Sequence, residues 1–224
     1  MKALQRAADG PACLGAYEHG RHTWNDLSSA YRAEIREALW VMQGKFCAYC
    51  GRAVPRKSGH IEHFVQKSRV PAVTFEWANL FWSCCDATTC GKHKDARVER
   101  GSYRDSDLVK PDTDDPSDYF AYVVTGEMQP SAGLPDPRRR RAEETIRVFN
   151  LNDPGGGLRA RRRQAFRMCR ERILYLQSLL TEEPTSGDWV ELVDKEIDDF
   201  LDELLGTEFE ASTSALVAEA LGRA

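Results

Sequence analysis

The sequence predicts an α+β fold in which a small β-β-α unit lies between an N-terminal helix and a C-terminal helical region. Two groups of cysteines, at 47–50 and 84–90, enclose a short alternating segment at 60–65. Apolar residues recur with helical spacing over 26–43 and again beyond residue 142. These observations favour four segments: an N-terminal segment and helix (1–44), a cysteine-bracketed core (45–105), a connector with a hairpin (106–140) and a helical region (141–224).

The N-terminal helix is expected over 26–43, with Asn25 as its N-cap. A tight turn of zinc-knuckle type follows at 47–51. The segment 60–65 alternates and predicts a strand, 67–77 predicts a loop with short extended pieces, and 79–83 leads into the second cysteine group. A helix over 90–100 completes the β-β-α order.

The remainder predicts a hairpin and then helices. Residues 119–130 indicate a hairpin with Thr125 and Gly126 at its turn. A helix is expected around 142–149, one long helix over 158–180, a further helix over 189–204 and a short last helix over 212–221 with Gly222 behind it.

Composition limits the class of protein. The chain has 224 residues, a net charge of −4 and seven cysteines. No apolar run approaches the roughly eighteen residues of a membrane span, and no signal-peptide pattern follows Met1. We therefore expect a cytoplasmic protein with no membrane partner, in which closely spaced cysteines bind metal more often than they form disulfides.

The net charge conceals an uneven distribution. Twelve arginines lie between residues 136 and 172, and twelve acidic residues lie between 181 and 210. One interpretation is a surface that follows nucleic-acid phosphates. The other is a solvated helix face that pairs with the acidic helices. The apolar stripes of the last helices are mainly core, but they could also dock a protein partner.

Four cysteines predict a structural zinc site. Cys47 and Cys50 form a C-x-x-C pair, and Cys90 with Cys84 or Cys85 would complete the four thiolates. Cys84 is the better candidate of the two. The alternative is a set of buried free thiols. Cys13 and Cys169 are expected to be unliganded, with Cys169 in the core.

An adjacent acid and histidine suggest phosphodiester hydrolysis. The neutral imidazole of His63 can take a proton from water, and the carboxylate of Glu62 can hold a divalent ion. Neighbouring strand residues face opposite sides, so both reach one cleft only where the strand bends. A structural histidine is the alternative for His63.

Three further polar residues follow in order, and His60 precedes the pair. Asn79 could hold the backbone around His63, or be an ordinary turn residue. His93 could be a second ligand of the catalytic ion, or a surface helix residue. Lys94 could contact the scissile phosphate, or be solvated. His60 could join either metal site, although an ordinary loop histidine is favoured.

The order C-x-x-C, acid-His, Asn-Leu, Cys…Cys, His, Lys resembles the HNH endonucleases and their ββα-metal fold. CAYCG, IEHF, TFEWANLFWSC and CGKHKD are most similar to HNH proteins of Septu-type and retron anti-phage systems, which act beside an ABC-type ATPase. The similarity extends over roughly 24–173, since RAEETIRVFNLN also matches.

The resemblance implies a role for each matching residue. His63 would be the general base, Glu62 and His93 would bind a catalytic Mg²⁺ or Mn²⁺, and Asn79 would orient the base. The four cysteines would hold structural Zn²⁺. Three residues depart from the family pattern. Glu62 stands where Asp is common, and Gln66 stands where Pro is common. Gly91 occupies the place of the usual final metal ligand.

The resemblance thus implies a metal-dependent endonuclease of anti-phage defence whose substrate is DNA or RNA. Its expected partners are an ABC-type ATPase and a retron reverse transcriptase complex. The rival interpretation is a non-catalytic zinc module that binds nucleic acid or a protein. A weaker option is a helical assembly scaffold.

Overall fold

The computed structural model describes residues 1–96, 103–153, 155, 157–181 and 187–223. These residues form an α+β structure with two small antiparallel sheets and seven α-helices. The strands are β1 (Gly59–His63), β2 (Leu80–Cys84), β3 (Phe120–Tyr122) and β4 (Met128–Pro130). The helices are α1 (Ser29–Met42), α2 (Cys90–Lys94), α3 (Asp136–Val148), α4 (Gly157–Met168), α5 (Arg170–Thr181), α6 (Gly187–Glu203) and α7 (Glu210–Ala220).

Helix α1 begins three residues later than the sequence predicts. The Oγ of Ser28 accepts a hydrogen bond from the Tyr31 N–H at 3.1 Å, so Ser28 is the N-cap. The expected cap, Asn25, is wrong because it lies within a separate 3-10 turn, Trp24–Asp26. The inner face of α1 buries Ile35 and Leu39 completely.

Strands β1 and β2 form the first sheet, and α2 follows them in the predicted order. The register sets Glu62 opposite Phe81 and His63 opposite Leu80. All five residues of β2 are buried, whereas β1 is buried only at its C-terminal end. The described part of the predicted helix 90–100 is helical up to Lys94, and 97–100 lie outside the described residues.

The predicted hairpin is confirmed. Strands β3 and β4 pair in antiparallel register, and the turn closes with a hydrogen bond from the Gly126 N–H to the Val123 carbonyl at 2.7 Å. Gly126 has a φ of 84°, which a side chain would strain. A Cβ there would also clash with the carbonyl of Arg159 at the start of α4.

The single long helix expected over 158–180 is wrong, because α4 and α5 are separate. At the junction the Cys169 N–H bonds to the Phe166 carbonyl, three residues back, at 3.0 Å. This tighter turn interrupts the α-helical ladder. The apolar stripe continues across the break, which is why periodicity alone does not reveal it.

Two apolar clusters form the core. The larger contains residues from α1, both sheets, α3, α4 and α7. The smaller lies among α5, α6 and α7 and includes Cys169, as the apolar position of that cysteine predicts. Among the residues described, no helix is both long and apolar enough to cross a bilayer.

Phe149 joins the later helices to the cysteine-rich unit. Its ring is fully buried and stacks on Tyr49 with a centroid separation of 4.1 Å. Its carbonyl accepts a hydrogen bond from the Cys90 N–H at 2.7 Å. The residue after α3 therefore fixes the start of α2 through both side chain and backbone.

Replacement of Phe149 by Ala should lower the free energy of unfolding by about 3–5 kcal/mol, because a large buried ring is lost and a cavity remains. Urea denaturation measures this. The matched control is Leu205→Ala, since Leu205 is 60% exposed and should change stability by no more than about 0.5 kcal/mol. Equal losses in both variants would contradict the assignment of Phe149 to the core.

Candidate metal centre and active site

Four buried cysteines form one cluster. The Sγ atoms of Cys47, Cys50, Cys84 and Cys90 all lie within 4.8 Å of one another. Tetrahedral Zn²⁺ with Zn–S bonds of about 2.3 Å places its sulfur atoms about 3.8 Å apart, so this donor set suits a metal ion such as zinc. The cluster contains Cys84 rather than Cys85, whose exposed Sγ lies 3.7 Å from His60 Nδ1.

Backbone hydrogen bonds hold the two cysteine groups together. The knuckle closes with a bond from the Gly51 N–H to the Cys47 carbonyl at 3.1 Å, and Gly51 has a φ of 74°. The Ala48 N–H donates to the Trp82 carbonyl at 3.0 Å, which attaches the knuckle to β2. Cys90 also has a positive φ, 57°, a strained conformation that its bond to Phe149 maintains.

The thiols share their protons unequally. Burial opposes ionisation of Cys47, but hydrogen bonds from the other three thiols outweigh it and hold the pKa of Cys47 well below its ordinary value. Burial and the neighbouring sulfurs raise the pKa of Cys90 well above its ordinary value. Because a metal ion binds thiolates, binding of a cation at this cluster would release the protons that the other thiols hold.

His63 lies at the end of β1 with its ring buried. Its Nε2 is 3.1 Å from the carbonyl of Thr74, and the ring meets the Trp24 ring edge-on at a centroid distance of 4.4 Å. A carbonyl only accepts, so Nε2 carries the proton and Nδ1 is the basic nitrogen of the neutral ring.

The imidazole of His63 is neutral near pH 7. Burial first, and then the positive charge of Lys67, lower the pKa of His63 to about 4. The ring can therefore accept a proton without first losing one.

Asn79 fixes the backbone that follows the histidine. Its Oδ1 accepts from the Val65 N–H at 2.7 Å, and its Nδ2 donates to the carbonyls of Val65 and Val73, each at 3.0 Å. The Phe64 N–H bonds to the Asn79 carbonyl at 2.9 Å. These bonds set the loop that leaves β1 against the 3-10 turn before β2.

Glu62 is directed away from His63 and into the interior. Its carboxylate forms ion pairs with Lys94 Nζ at 2.8 Å and, when His60 is protonated, with His60 Nε2 at 3.1 Å. Gly91 covers it so closely that a Cβ there would clash with Oε2. Burial disfavours the charge, but Lys94 and His60 outweigh it and lower the pKa of Glu62.

Lys94 is neither solvated nor at the surface of a cleft. Its side chain is 0% exposed, and Nζ contacts Glu62, the Asp95 carboxylate at 2.9 Å and the His63 carbonyl at 2.9 Å. Burial opposes the charge, but the carboxylates of Glu62 and Asp95 raise the pKa of Lys94 above its ordinary value. Lys94 therefore neutralises the charge of Glu62, and its bond to the His63 carbonyl supports the end of β1.

His93 is directed toward α3. Its Nδ1 donates to the Val148 carbonyl at 2.9 Å, so the structure does not bring His93 together with Glu62. Within the described residues, the four cysteines are the one group of three or more His, Cys, Asp or Glu side chains close enough to share a metal ion.

Several residues beside His63 have no predicted catalytic or metal-binding role. A cleft of 190 Å³ is lined by His63, Gln66, Lys67, Ser68 and Asp95. The Asp95 carboxylate accepts from Gln66 Nε2 at 2.8 Å and is 44% exposed. The motif CGKHKD contains this residue, and its position one turn beyond Gly91 was the available signal.

The arginines of the helical region differ in their surroundings. Arg162 is 1% exposed and donates to the carbonyls of Leu151 and Gly126 at 2.9 and 3.3 Å. Arg172 pairs with Glu196 of α6 at 2.7 Å, as the paired-face interpretation expects. Other arginines of α4 and α5 are exposed: Arg161, Arg163, Arg167 and Arg170.

Cys84→Ser should remove a bound metal ion and lower the melting temperature, because the cluster loses one of its four sulfur ligands. The matched control is Cys85→Ser, one residue away and outside the cluster. Metal content per chain, by plasma mass spectrometry, and thermal melting measure the difference. A loss of metal in Cys85→Ser alone would contradict the ligand assignment.

Lys94→Met should cost about 3–5 kcal/mol of stability at pH 8, because it leaves Glu62 buried without its counter-charge. Unpaired burial raises the folded pKa of Glu62, so the protonated form relieves the loss as pH falls below that pKa. The difference from wild type should therefore shrink toward pH 5. Urea denaturation at both pH values tests this, with exposed Lys92→Met as control; an equal loss at both would refute the pairing.

Comparison with known proteins gives one weak relation. No family model matches the chain. The chain is 24% identical over 127 residues to a Vibrio cholerae serotype O1 biovar El Tor protein named "Retron Vc95 putative HNH endonuclease". The match covers 54% of this chain and 58% of that relative, so it spans little more than half of either protein. The similarity is consistent with an HNH-type nuclease.

Proposed function

We propose that this protein is an HNH-type endonuclease that hydrolyses phosphodiester bonds of nucleic acid, with His63 as general base. The observation that carries the proposal is the neutral, oriented imidazole of His63 at a cleft that also exposes Lys67 and Asp95. The order β1, β2, α2 around the cysteine cluster supports a ββα-metal core. The retron relative supports the same reaction class.

The chain's own groups divide the work of hydrolysis. Nδ1 of His63 takes a proton from the attacking water, while the Thr74 carbonyl holds Nε2–H and thereby the ring orientation. Asn79 fixes the loop that follows His63, through Val65 and Val73. Lys67, exposed at the same cleft, attracts the phosphate.

Two metals enter the proposal on different grounds. Zn²⁺ fits the four thiols and would tie the knuckle to β2 and α2, a structural role. A catalytic Mg²⁺ or Mn²⁺, as the resemblance implies, would stabilise charge on the phosphate. Glu62 and His93 do not fit as its ligands in this arrangement, since one is paired with Lys94 and the other is directed to Val148.

We also propose that the nuclease acts in anti-phage defence under an ABC-type ATPase, with a retron reverse transcriptase complex as a further partner. The name of the Vibrio relative supports the retron context. The outer faces of α5 and α6 expose Leu174 and Leu192 by 50% and 52%, and such apolar groups suit a protein contact.

A second function has one observation in its favour. Within the described residues, no group of three or more His, Cys, Asp or Glu side chains besides the four cysteines lies close enough to share a metal ion, as a purely structural zinc module would allow. Such a module would bind nucleic acid or a protein without cleaving it. In that case the buried histidine would have a structural role, through its contacts with Thr74 and Trp24.

His63→Ala should lower the cleavage rate by about 10²–10⁴-fold, the usual contribution of a general base. Metal content should stay near that of wild type, and the variant should remain folded, with a lower melting temperature because a buried ring is lost. The substrate is identified by cleavage assays on labelled single- and double-stranded DNA and RNA, in the presence of Mg²⁺ or Mn²⁺. The protein is assayed alone and together with the proposed ATPase partner. The base must be unprotonated, so wild-type cleavage should be level above pH 6 and fall as pH approaches about 4.

Two results would contradict the proposal. Full cleavage by His63→Ala would show that another group is the base. A wild-type protein that binds nucleic acid but cleaves none of these substrates, with or without the ATPase, would favour the non-catalytic zinc module.

A further inference from the structure

A second, larger cleft adjoins the histidine. It has a volume of 390 Å³, within the range of small-molecule sites of roughly 300–1,000 Å³. Residues 19–25 form one wall, and Lys67, Pro71 and Thr74 form the other. Lys67 also borders the cleft of His63, so the two spaces meet at its side chain.

Aromatic contacts fix the wall formed by residues 19–25. The Tyr17 ring stacks on Phe75 at 5.4 Å, and Trp24 stacks on the same ring at 6.1 Å. Trp24 also meets His63 edge-on. Arg32 Nη2 donates to the Trp24 carbonyl at 2.8 Å, which ties the segment to α1. The half-buried Trp24 thus has a defined position between His63 and the cleft.

The cleft presents cations that are available to a ligand. Lys67 is exposed and has no ion-pair partner in the part of the chain that the structure describes. Arg21 pairs with Glu18 at 3.2 Å, but both side chains are largely exposed, at 78% and 67%, so solvent weakens that pair. The carboxylate of nearby Asp26 accepts hydrogen bonds from the N–H and the hydroxyl of Thr23.

His22 adds a hydrogen-bond donor. Its Nδ1 accepts from the Glu18 N–H at 3.1 Å, so the ring proton of the neutral form is on Nε2. Cationic side chains, a hydrogen-bond donor and an indole in one cleft are the groups that bind single-stranded nucleic acid. The phosphates contact the cations, and a nucleobase stacks on the aromatic ring.

We propose that this cleft binds a nucleotide next to the scissile phosphate of a single-stranded polynucleotide. Lys67 and Arg21 contact its phosphates, and the base stacks on Trp24. The inference rests on the proposed function, because it places the reacting phosphate at His63. It assigns substrate binding to a segment N-terminal to every cysteine of the cluster.

The test measures binding separately from cleavage. The His63→Ala protein, full length, binds labelled twelve-nucleotide single-stranded DNA and RNA, followed by fluorescence anisotropy between 50 and 250 mM KCl. Lys67→Ala added to it should weaken binding several-fold and reduce the slope of log K against log salt by about 0.7. Lys67→Arg should restore both.

The aromatic contact has its own variants. Trp24→Leu should weaken binding by roughly 5- to 100-fold, the effect of losing one stacked base, and Trp24→Phe should retain most of the affinity. Melting temperature and metal content confirm folding of each variant. Lys195→Ala, an exposed lysine on α6, is the matched charge control and should bind like the parent.

The outcomes separate the two proposals. Parent-like binding by Lys67→Ala and Trp24→Leu, or no binding of either oligonucleotide by any protein, overturns the nucleotide cleft even where wild type cleaves through His63. Weakened binding in both variants supports the cleft even where wild type cleaves nothing, and then only the catalytic assignment fails. Preference for the ribose or deoxyribose oligonucleotide identifies the polynucleotide.

Discussion

The arrangement of this protein depends on the approach of four buried thiols from three parts of the chain. Cys47 and Cys50 come from the knuckle, Cys84 ends β2 and Cys90 begins α2. Four sulfurs this close in an apolar interior need protons or a cation between them. Because β2 is paired with β1, the same constraint that fixes the sulfurs also fixes the strand of His63.

The alternation of β1 then assigns different tasks to adjacent residues. Glu62 enters the interior and is neutralised by Lys94, whose ammonium also bonds to the His63 carbonyl. His63 lies on the other side, where Trp24 and Thr74 orient its ring. A strand without a bend cannot bring an acid and its neighbouring histidine to one ion, and this strand uses the acid as an internal counter-charge instead.

Much of the fold follows from local signals, but the surroundings of His63 do not. The β-β-α order, the hairpin turn at Gly126 and the preference for Cys84 over Cys85 could be predicted from alternation, turn chemistry and spacing. The burial of Lys94 could not be predicted, because a helix lysine is ordinarily solvated and is buried only where it has a tertiary partner. Trp24 lies in an aperiodic segment, so only the folded contacts reveal its place beside the histidine.

The contact between Gly91 and Glu62 links two departures from the HNH pattern that looked independent. The long side chain of Glu62 fills the volume that a side chain at position 91 would need. It fits because Gly91 has no side chain. Positions 62 and 91 should therefore covary among relatives: a shorter Asp at the first would admit Asn or His at the second. An evolutionary path between the two arrangements would have to change both residues, and the intermediate would carry either a void or a clash.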